Sequence, residues 1–259
     1  MSTQLTGRHA LVTGGGRGIG AAIAKALADE GALLTLVGRD RGVLDDTAAK
    51  LPATAQANVV VGDVRDESSV KAAFDAARSR HGEVAILVNN AGIAVSRPFT
   101  RLEPDMWSAV IATNLTGTYL CAREAVPAML AAGHGRIVNI ASTAGLVGGK
   151  YIAAYCAAKH GVVGLTRSLA AELGAKGITV NAVCPGFTES AMLDRALESI
   201  ATNTGRSEDD AAATLLVRNP LGRFVKAEEV AAAVVWLCRS DSAAVTGQAI
   251  VIDGGEVQH

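Results

Sequence analysis

Short apolar segments rich in β-branched residues recur along the chain, and longer alanine-rich segments with helical periodicity separate them. The apolar segments carry no regular polar alternation, which is typical of strands in a parallel sheet covered on both faces. Strand–helix alternation of this kind favours right-handed crossovers between neighbouring parallel strands. The sequence therefore predicts an α/β fold, a doubly wound parallel sheet of about seven strands with helices on both faces.

The predicted strands are His9–Thr13, Leu33–Val37, Val59–Val61, Val84–Val88, Arg136–Ala141, Thr179–Val183 and Ala249–Ile252. The predicted helices are Gly18–Glu30, Arg41–Leu51, Glu67–His81, Pro104–Ala132, Tyr151–Ala175 and Ala227–Arg239.

One region departs from this alternation. The residues from Thr188 to Val225 follow the sixth predicted strand, and many of them are polar or charged. An insertion after the carboxyl end of a strand is a common position for a loop that covers a bound substrate. We therefore expect one domain over residues 1–259 with a substrate lid at about 188–225. A rigid helical excursion packed on the domain is the alternative.

Composition and charge exclude several classes of protein. Hydrophobic residues make up 49% of the chain, which is enough for a large aliphatic core and excludes intrinsic disorder. The formal net charge of −1 argues against a nucleic-acid or anionic-membrane surface, because either needs a basic excess. No apolar run reaches the length of a membrane span, and the first residues lack signal-peptide features. The cysteines form no CxxC pair, so we expect no metal, no disulfide framework and a cytoplasmic location.

A glycine-rich turn follows the first predicted strand. The sequence TGGGRGIG occupies residues 13–20, and a predicted helix begins within it. In this context Gly14 allows the tight turn, Gly18 lets the backbone approach a pyrophosphate, and Gly20 lets helix and strand pack closely. The helix N-terminus offers free N–H groups and a partial positive charge to phosphates. The turn therefore predicts a dinucleotide-binding site.

The spacing TGxxxGxG resembles that of the short-chain dehydrogenase/reductase family, and further family motifs follow in order along nearly the whole chain. They are Asp63-Val64 after the third strand, Asn89-Asn90-Ala91-Gly92 after the fourth, Asn114 within TNLTG, Ser142 at the end of the fifth strand, Tyr155-Cys156-Ala157-Ala158-Lys159 in the long helix, and Pro185-Gly186 after the sixth strand. The resemblance implies a single-domain Rossmann-type sheet. It also implies an oxidoreductase that transfers a hydride between a nicotinamide cofactor and a carbonyl or secondary alcohol.

The same resemblance implies which residues bind the cofactor. Asp63 is expected at the adenine, Asn90 to Gly92 at the ribose side, and Pro185, Gly186 and Thr188 around the nicotinamide. The full expected set is Gly14, Gly16, Arg17, Gly18, Ile19, Gly20, Arg39, Asp63, Val64, Asn90, Ala91, Gly92, Tyr155, Lys159, Pro185, Gly186 and Thr188.

The end of the second strand bears on the choice between NAD(H) and NADP(H). An acidic residue there normally accepts a hydrogen bond from the ribose 2′-hydroxyl of NAD. In this family that position corresponds to Gly38, and Arg39 follows it. Arg39 and Arg17 suit a 2′-phosphate through charge-assisted hydrogen bonds, which favours NADP(H). NAD(H) stays possible if both arginines are only solvated and Asp40 accepts from the ribose.

Four residues form the expected catalytic set, namely Asn114, Ser142, Tyr155 and Lys159. Tyr155 and Lys159 stand four apart near the start of a helix and therefore share a face. A nearby ammonium and the positively charged nicotinamide ring of the oxidised cofactor are expected to lower the pKa of the tyrosine. Tyr155 then acts as general acid or base, and Ser142 positions the substrate oxygen. By family resemblance, Asn114 holds a water that connects Lys159 to solvent.

The segments KHGVVG (159–164) and GITVNAVCPGF (177–187) resemble those of 3-oxoacyl-thioester reductases and aromatic polyketide ketoreductases. Carrier-protein reductases usually have a basic cluster before the fifth strand, whereas Ala131-Ala132-Gly133-His134 is nearly uncharged here. This favours a coenzyme A thioester or a small free ketone as substrate.

The alternatives are an NAD-dependent dehydrogenase of a small secondary alcohol, sugar or steroid, and a non-catalytic dinucleotide sensor. The resemblance also implies a homotetramer, in which Pro104–Ala132 and Tyr151–Ala175 pair between subunits and the strand within Gly247–Gly255 meets its mate.

Overall fold

The computed structural model describes residues 4–205 and 207–257, apart from the side chains of Ser199 and Asn203. Its strands are β1 His9–Thr13, β2 Leu33–Gly38, β3 Ala57–Val61, β4 Ile86–Asn89, β5 Gly135–Ile140, β6 Ile178–Pro185 and β7 Ala249–Ile252. Its α-helices are α1 Gly18–Asp29, α2 Arg41–Ala49, α3 Glu67–His81, α4 Pro104–Ile111, α5 Gly117–Ala132, α6 Ala153–Leu173, α7 Ala191–Thr204, α8 Glu208–Leu216 and α9 Ala227–Cys238.

The strands form one sheet in the order β3-β2-β1-β4-β5-β6-β7, and every neighbouring pair is parallel. The chain order reverses between β1 and β4, which pair through Leu11 with Leu87 and Val12 with Val88. In open α/β sheets the crevice at such a reversal, beyond the carboxyl ends of the strands, is where ligands bind. The predicted doubly wound parallel fold is therefore confirmed. The strand order places the expected ligand-binding crevice beyond the carboxyl ends of β1 and β4.

Alternate residues of each central strand enter two separate hydrophobic clusters. Val12 lies in the cluster that includes Ile23 and Leu27 of α1 and Val234 of α9. Leu11 lies on the opposite face, in the cluster that contains side chains of α3 and α5. Burying both faces explains why the strands are apolar throughout.

The predicted span Pro104–Ala132 is helical throughout, but a π-helical turn at Ala112–Thr116 interrupts its α-helical geometry between α4 and α5. The wide turn directs Asn114 inward, where its side chain accepts from Ile93 N and donates to Ile93 O, both at 2.8 Å. Thr118 Oγ1 donates to the Asn114 carbonyl oxygen at 2.8 Å. Single π-helical turns of this kind occur frequently at functional sites.

The segment 188–225 is not an irregular polar loop, since it contains α7 and α8. Ser190 caps α7 and Ser207 caps α8, each through its hydroxyl oxygen. The charged sequence that follows Ser207 forms the first turn of α8, where acidic side chains interact favourably with the helix dipole. An isolated parallel bridge joins Thr188 to Val225 at the base of the segment. None of the described helices combines the length and the apolar character needed to cross a bilayer.

Candidate active site

The glycine turn between β1 and α1 lies at the carboxyl edge of the sheet, beside the reversal of strand order. Gly14 and Gly18 have φ angles of +64° and +52°, which non-glycine residues rarely adopt. A Cβ atom at Gly20 would overlap the carbonyl oxygen of Gly14 and lie 2.5 Å from Asn90 Nδ2. The predicted roles of Gly14 in the turn and of Gly20 in close packing therefore agree with the backbone.

The loop after β4 braces this turn. Asn90 Nδ2 donates to the carbonyl oxygens of Thr13 and Gly14 at 3.0 and 3.1 Å. In return Thr13 Oγ1 accepts from the backbone N–H groups of Asn90 and Ala91 at 3.0 and 3.1 Å. These hydrogen bonds tie the carboxyl ends of β1 and β4 together, so the glycine turn and the loop after β4 form one rigid unit.

The N-terminus of α1 has no side-chain cap: Arg17 precedes it in extended conformation and makes no capping hydrogen bond. Gly16 and Ile19 flank this position in the same turn. The first N–H groups of the helix are therefore free of a competing side chain and are available to an anion.

The residues expected to determine the preference between NAD(H) and NADP(H) lie in the glycine turn and at the end of β2. Arg17 and Arg39 are both exposed, and neither guanidinium forms an ion pair or hydrogen bond within residues 4–205 and 207–257. Asp40 is the N-cap of α2, and its Oδ1 accepts from Val43 N at 3.2 Å. One carboxylate oxygen of Asp40 is thus already engaged in capping a helix.

Asp63, which follows β3 and precedes Val64, has a partner that the sequence did not reveal. Arg65 donates to both of its carboxylate oxygens, with Nη2 2.6 Å from Oδ2. The hydrogen bond from Arg65 is the main reason that the pKa of Asp63 is lowered, and Arg39 contributes in the same direction. Asp63 is therefore an ion-paired carboxylate. Part of its capacity to accept hydrogen bonds is already used by the Arg65 guanidinium.

Ser142, Tyr155 and Lys159 lie together beyond the end of β5. Lys159 is 4% exposed, and its Nζ donates to the carbonyl oxygen of Ile140 at 2.7 Å. The same Nζ lies 5.6 Å from the ring centroid of Tyr155. Ser142 caps a short 3₁₀ turn through its Oγ, which accepts from Ala144 N at 3.1 Å. A serine that caps a turn has a fixed side-chain direction, as a positioning residue requires.

In the protein chain alone, the surroundings of Tyr155 favour its neutral phenol. Burial raises the pKa of Tyr155, and a hydrogen bond with Ser142 acts in the opposite direction. Burial also lowers the pKa of Lys159 to about 8, because its ammonium is taken out of water. The expected lowering of the tyrosine pKa depends also on the charged ring of the oxidised cofactor and stays a prediction; in the protein chain by itself the pKa of Tyr155 is raised. The desolvation of the phenol is the largest effect on the pKa of Tyr155.

Asn114 and Gly92 complete the cluster. A Cβ atom at Gly92 would lie 3.4 Å from Asn114 Oδ1 and 3.8 Å from Lys159 Nζ. Asn114 and Lys159 therefore face the same glycine, although they are distant in the chain. Because both ends of the Asn114 amide are bound to Ile93, its backbone carbonyl oxygen is the group left for a further ligand, beside the Thr118 hydroxyl.

The loop after β6 closes the far side of the site. Pro185 ends β6, and Gly186 N donates to the carbonyl oxygen of Ile252 at 3.0 Å. Thr188 Oγ1 donates to the carbonyl oxygen of Gly186 at 3.0 Å and is 6% exposed. This loop therefore has a fixed shape at the start of the segment that contains α7 and α8.

Sequence reasoning missed Gly145, which determines how closely α6 approaches the site. A Cβ atom there would lie 2.7 Å from the carbonyl oxygen of Lys159. No local signal reveals this requirement, because the contact joins two separate elements. Among the described residues no group of His, Cys, Asp and Glu is placed to hold a metal ion.

These features fit a nicotinamide dinucleotide. The free N-terminus of α1 and the glycine turn suit a pyrophosphate, and the unpaired Arg17 and Arg39 suit further negative charge. A buried lysine and a tyrosine then lie at the carboxyl end of β5, where the reactive part of such a ligand would extend.

Comparisons with known proteins agree with this geometry. A family profile described as enoyl-(acyl carrier protein) reductase matches residues 14–256. The chain is 45% identical to a Streptomyces violaceoruber protein assigned as ketoacyl reductase 1 of granaticin polyketide synthase, over 95% of this chain and 92% of the relative. It is 40% identical to 2-(S)-hydroxypropyl-CoM dehydrogenase 3 of Xanthobacter autotrophicus, over 98% of each chain.

A solved structure extends the similarity to three dimensions. A single-site tryptophan variant of actinorhodin polyketide ketoreductase, crystallised with NADPH, superposes with a TM-score of 0.95 at 40% identity and full coverage of both chains. Together with the parallel sheet, the glycine turn and the Ser142–Tyr155–Lys159 cluster, these matches establish that the chain belongs to the short-chain dehydrogenase/reductase family and is an oxidoreductase that uses a nicotinamide cofactor.

Proposed function

We propose that this protein is an NADP(H)-dependent ketoreductase that interconverts a 3-oxoacyl thioester and the corresponding 3-hydroxyacyl thioester. The observation that carries the proposal is the placement of Tyr155, Lys159 and Ser142 beyond β5, on the same sheet edge as the glycine turn.

In this proposal Tyr155 protonates the substrate oxygen during reduction and removes the proton during oxidation. The raised pKa of Tyr155 keeps the phenol protonated, which suits reduction. Ser142 donates a hydrogen bond to the same oxygen and fixes its position. The nicotinamide, when bound, supplies or accepts the hydride. Lys159 stabilises the phenolate, and Asn114 holds a water through its backbone carbonyl oxygen for proton exchange with Lys159.

We infer a preference for NADP(H) from Arg17 and Arg39. Both guanidiniums lack a hydrogen-bonding protein partner among the described residues, so a 2′-phosphate would supply the missing negative charge. Asp40 is a weaker acceptor for a ribose hydroxyl, because one of its oxygens caps α2. The solved relative that binds NADPH supports the same preference.

The thioester class is supported by the ketoacyl reductase name of the granaticin relative. We favour a coenzyme A thioester or a small ketone over a carrier-bound substrate, because residues 131–134 contain no lysine or arginine. The second candidate is oxidation of a small secondary alcohol. It is favoured by the similarity to a hydroxypropyl-CoM dehydrogenase at 40% identity.

A homotetramer is part of the proposal. Trp107 of α4 and Tyr119 of α5 expose 40% and 45% of their surface, and a second subunit packed on these helices would cover both side chains. The cytoplasmic location expected from the cysteines stays a prediction.

Cofactor titration followed by turnover tests the proposal. Fluorescence of NADPH and NADH is titrated with protein, and consumption is then measured with 3-oxoacyl-CoA thioesters, free ketones and secondary alcohols. We expect the fastest turnover with NADPH and a 3-oxoacyl-CoA. Tight cofactor binding without turnover on any substrate would favour a sensor, and preferential oxidation of simple alcohols with NAD⁺ would favour the dehydrogenase alternative.

A further inference from the structure

Arg136 is a buried cation far from the candidate active site. It is the second residue of β5, at the amino edge of the sheet, and is 4% exposed. Its Nη1 donates to the carbonyl oxygens of Gly135 and Gly177 at 2.9 and 3.5 Å. Its Nε is fully buried and has no partner in the described residues. A guanidinium has five N–H donors, so most of its hydrogen-bonding capacity is unused.

Two further basic side chains surround Arg136. Arg8, just before β1, hydrogen-bonds to Nε2 of His134, which follows α5. Because an arginine can only donate, His134 accepts through Nε2 and carries its proton on Nδ1. Burial lowers the pKa of His134, and Arg136 and Arg8 lower it further. The neutral imidazole therefore adds no positive charge, and it holds the Arg8 guanidinium near Arg136.

No carboxylate balances these cations within the described chain. None of the ion pairs there includes Arg8 or Arg136. Besides burial, the groups that affect the pKa of Arg136 are Arg8 and the thiol of Cys238, at the end of α9. An unpaired buried charge is strongly unfavourable, and arginine cannot escape by losing its proton. A bound anion removes this cost.

We propose that Arg136, Arg8 and His134 form a binding site for a small inorganic oxyanion such as phosphate at the amino edge of the sheet. Planar guanidiniums match the oxygens of such anions through paired hydrogen bonds. The site lies at the opposite edge of the sheet from Tyr155, so an anion there stabilises the fold without occupying the substrate cleft. Binding to the folded state alone raises the stability of that state.

Thermal unfolding in phosphate tests the proposal. The melting temperature is measured at pH 7.5 over a series of phosphate concentrations, with ionic strength held constant by sodium chloride. We expect a saturable rise for the wild type. Arg136→Met and Arg8→Gln should each raise the half-saturating phosphate concentration at least tenfold. If Arg136→Met fails to fold, Arg8→Gln and His134→Gln carry the same test, because both side chains are only partly buried.

Phosphate can also bind near Arg17 and Arg39, so the control is the Arg17→Ala/Arg39→Ala double variant, which should keep the part of the response that depends on Arg8 and Arg136. Loss of the response in that double variant, with retention in the Arg8 and Arg136 variants, overturns the proposal. An equal response in all variants, or none in the wild type, overturns it as well. Sulfate in place of phosphate should act similarly, whereas a response to chloride alone contradicts an oxyanion site.

Discussion

Lys159 Nζ donates a hydrogen bond of 2.7 Å to the carbonyl oxygen of Ile140, the last residue of β5. This bond holds the ammonium at the edge of the sheet, 5.6 Å from the centre of the Tyr155 ring. Burial there takes the charge out of water, which lowers the pKa of Lys159 to about 8. The fraction of lysine that is charged therefore falls as the pH rises through about 8 in the cofactor-free protein.

Replacing Tyr155 with phenylalanine removes the proton donor and leaves the ring. We expect turnover to fall by about 10²-fold or more, with NADPH affinity unchanged, because the hydroxyl acts on the substrate oxygen. Steady-state kinetics and cofactor titration measure both quantities. Tyr119→Phe, on α5, is the matched control and should retain activity. Substantial activity in Tyr155→Phe would remove this residue from the mechanism.

Arg39→Ala should weaken NADPH binding far more than NADH binding. Loss of a charged hydrogen bond costs about 1.5–3 kcal/mol, or roughly 10- to 150-fold in affinity. Fluorescence titration with both cofactors measures the ratio. Arg41→Ala, two residues further on, removes an exposed arginine that is paired with Asp45 and should leave the ratio unchanged. Equal losses for the two cofactors, or a wild-type preference for NADH, would contradict the assignment.

Gly20→Ala should damage both the fold and cofactor binding. Its Cβ would overlap the backbone oxygen of Gly14, and a backbone atom has little freedom to move. Overpacking of this kind costs about 1–3 kcal/mol. Gly164→Ala is the control: it lies on the exposed face of α6 with no atom near the new Cβ, and should stabilise by about 0.5–1 kcal/mol. Urea unfolding of both variants checks the difference, and an unaffected Gly20→Ala would falsify the close-packing role.

Stability should fall as the pH drops below about 6.5. Burial lowers the pKa of His9, His81 and His134 in the folded protein. Below the ordinary pKa the unfolded chain therefore binds more protons than the folded one, and the free energy of unfolding decreases. His9 is the most deeply buried; its ring nitrogens bond to Gly82 O at 2.8 Å and Thr35 Oγ1 at 2.9 Å.

Urea midpoints measured from pH 7.5 to 5 test this effect. We expect a smaller acid-induced loss in His9→Gln than in the wild type, since one of the three titrating groups is gone. A pH-independent midpoint in the wild type would mean that these imidazoles titrate normally.

The segment that contains α7 and α8 should become more protected when substrate binds. Met192 is 45% exposed and Leu193 is buried. At the start of α7, one apolar side chain is therefore free to contact a substrate, and the next is packed against the protein. Closure over an acyl chain would exclude water and order the segment. Hydrogen exchange over residues 192–205 and 207–216 in the free and ternary states measures this. Equal protection in both states would identify the segment as rigid scaffold.

The sheet was predictable because burial on both faces leaves a strong local signal in each strand. The bounds of β1 and β7 agree with the predicted ones. The π-helical turn at Asn114 was not predictable, since it depends on bonds to Ile93, which is 21 positions away in the chain.

Other features had a local sequence signal, but the charged residues around it favoured a different interpretation. Ser190 and Ser207 are serine caps with local sequence signatures, yet the surrounding charges favoured the interpretation of a solvated lid. The raised pKa of Tyr155 and the basic cluster at Arg136 depend on burial and on residues distant in sequence, neither of which a linear motif contains.

The bridge between Thr188 and Val225 has a consequence for how such a protein can diversify. The bridge holds the two ends of the α7–α8 segment side by side. The chain between them is therefore a loop whose ends are already fixed by the rest of the fold. Doubling the length of a closed loop costs only about 0.6 kcal/mol. The α7–α8 segment can therefore be lengthened, shortened or exchanged to accept a new substrate shape, while the sheet and α6, which carries Tyr155 and Lys159, keep their arrangement.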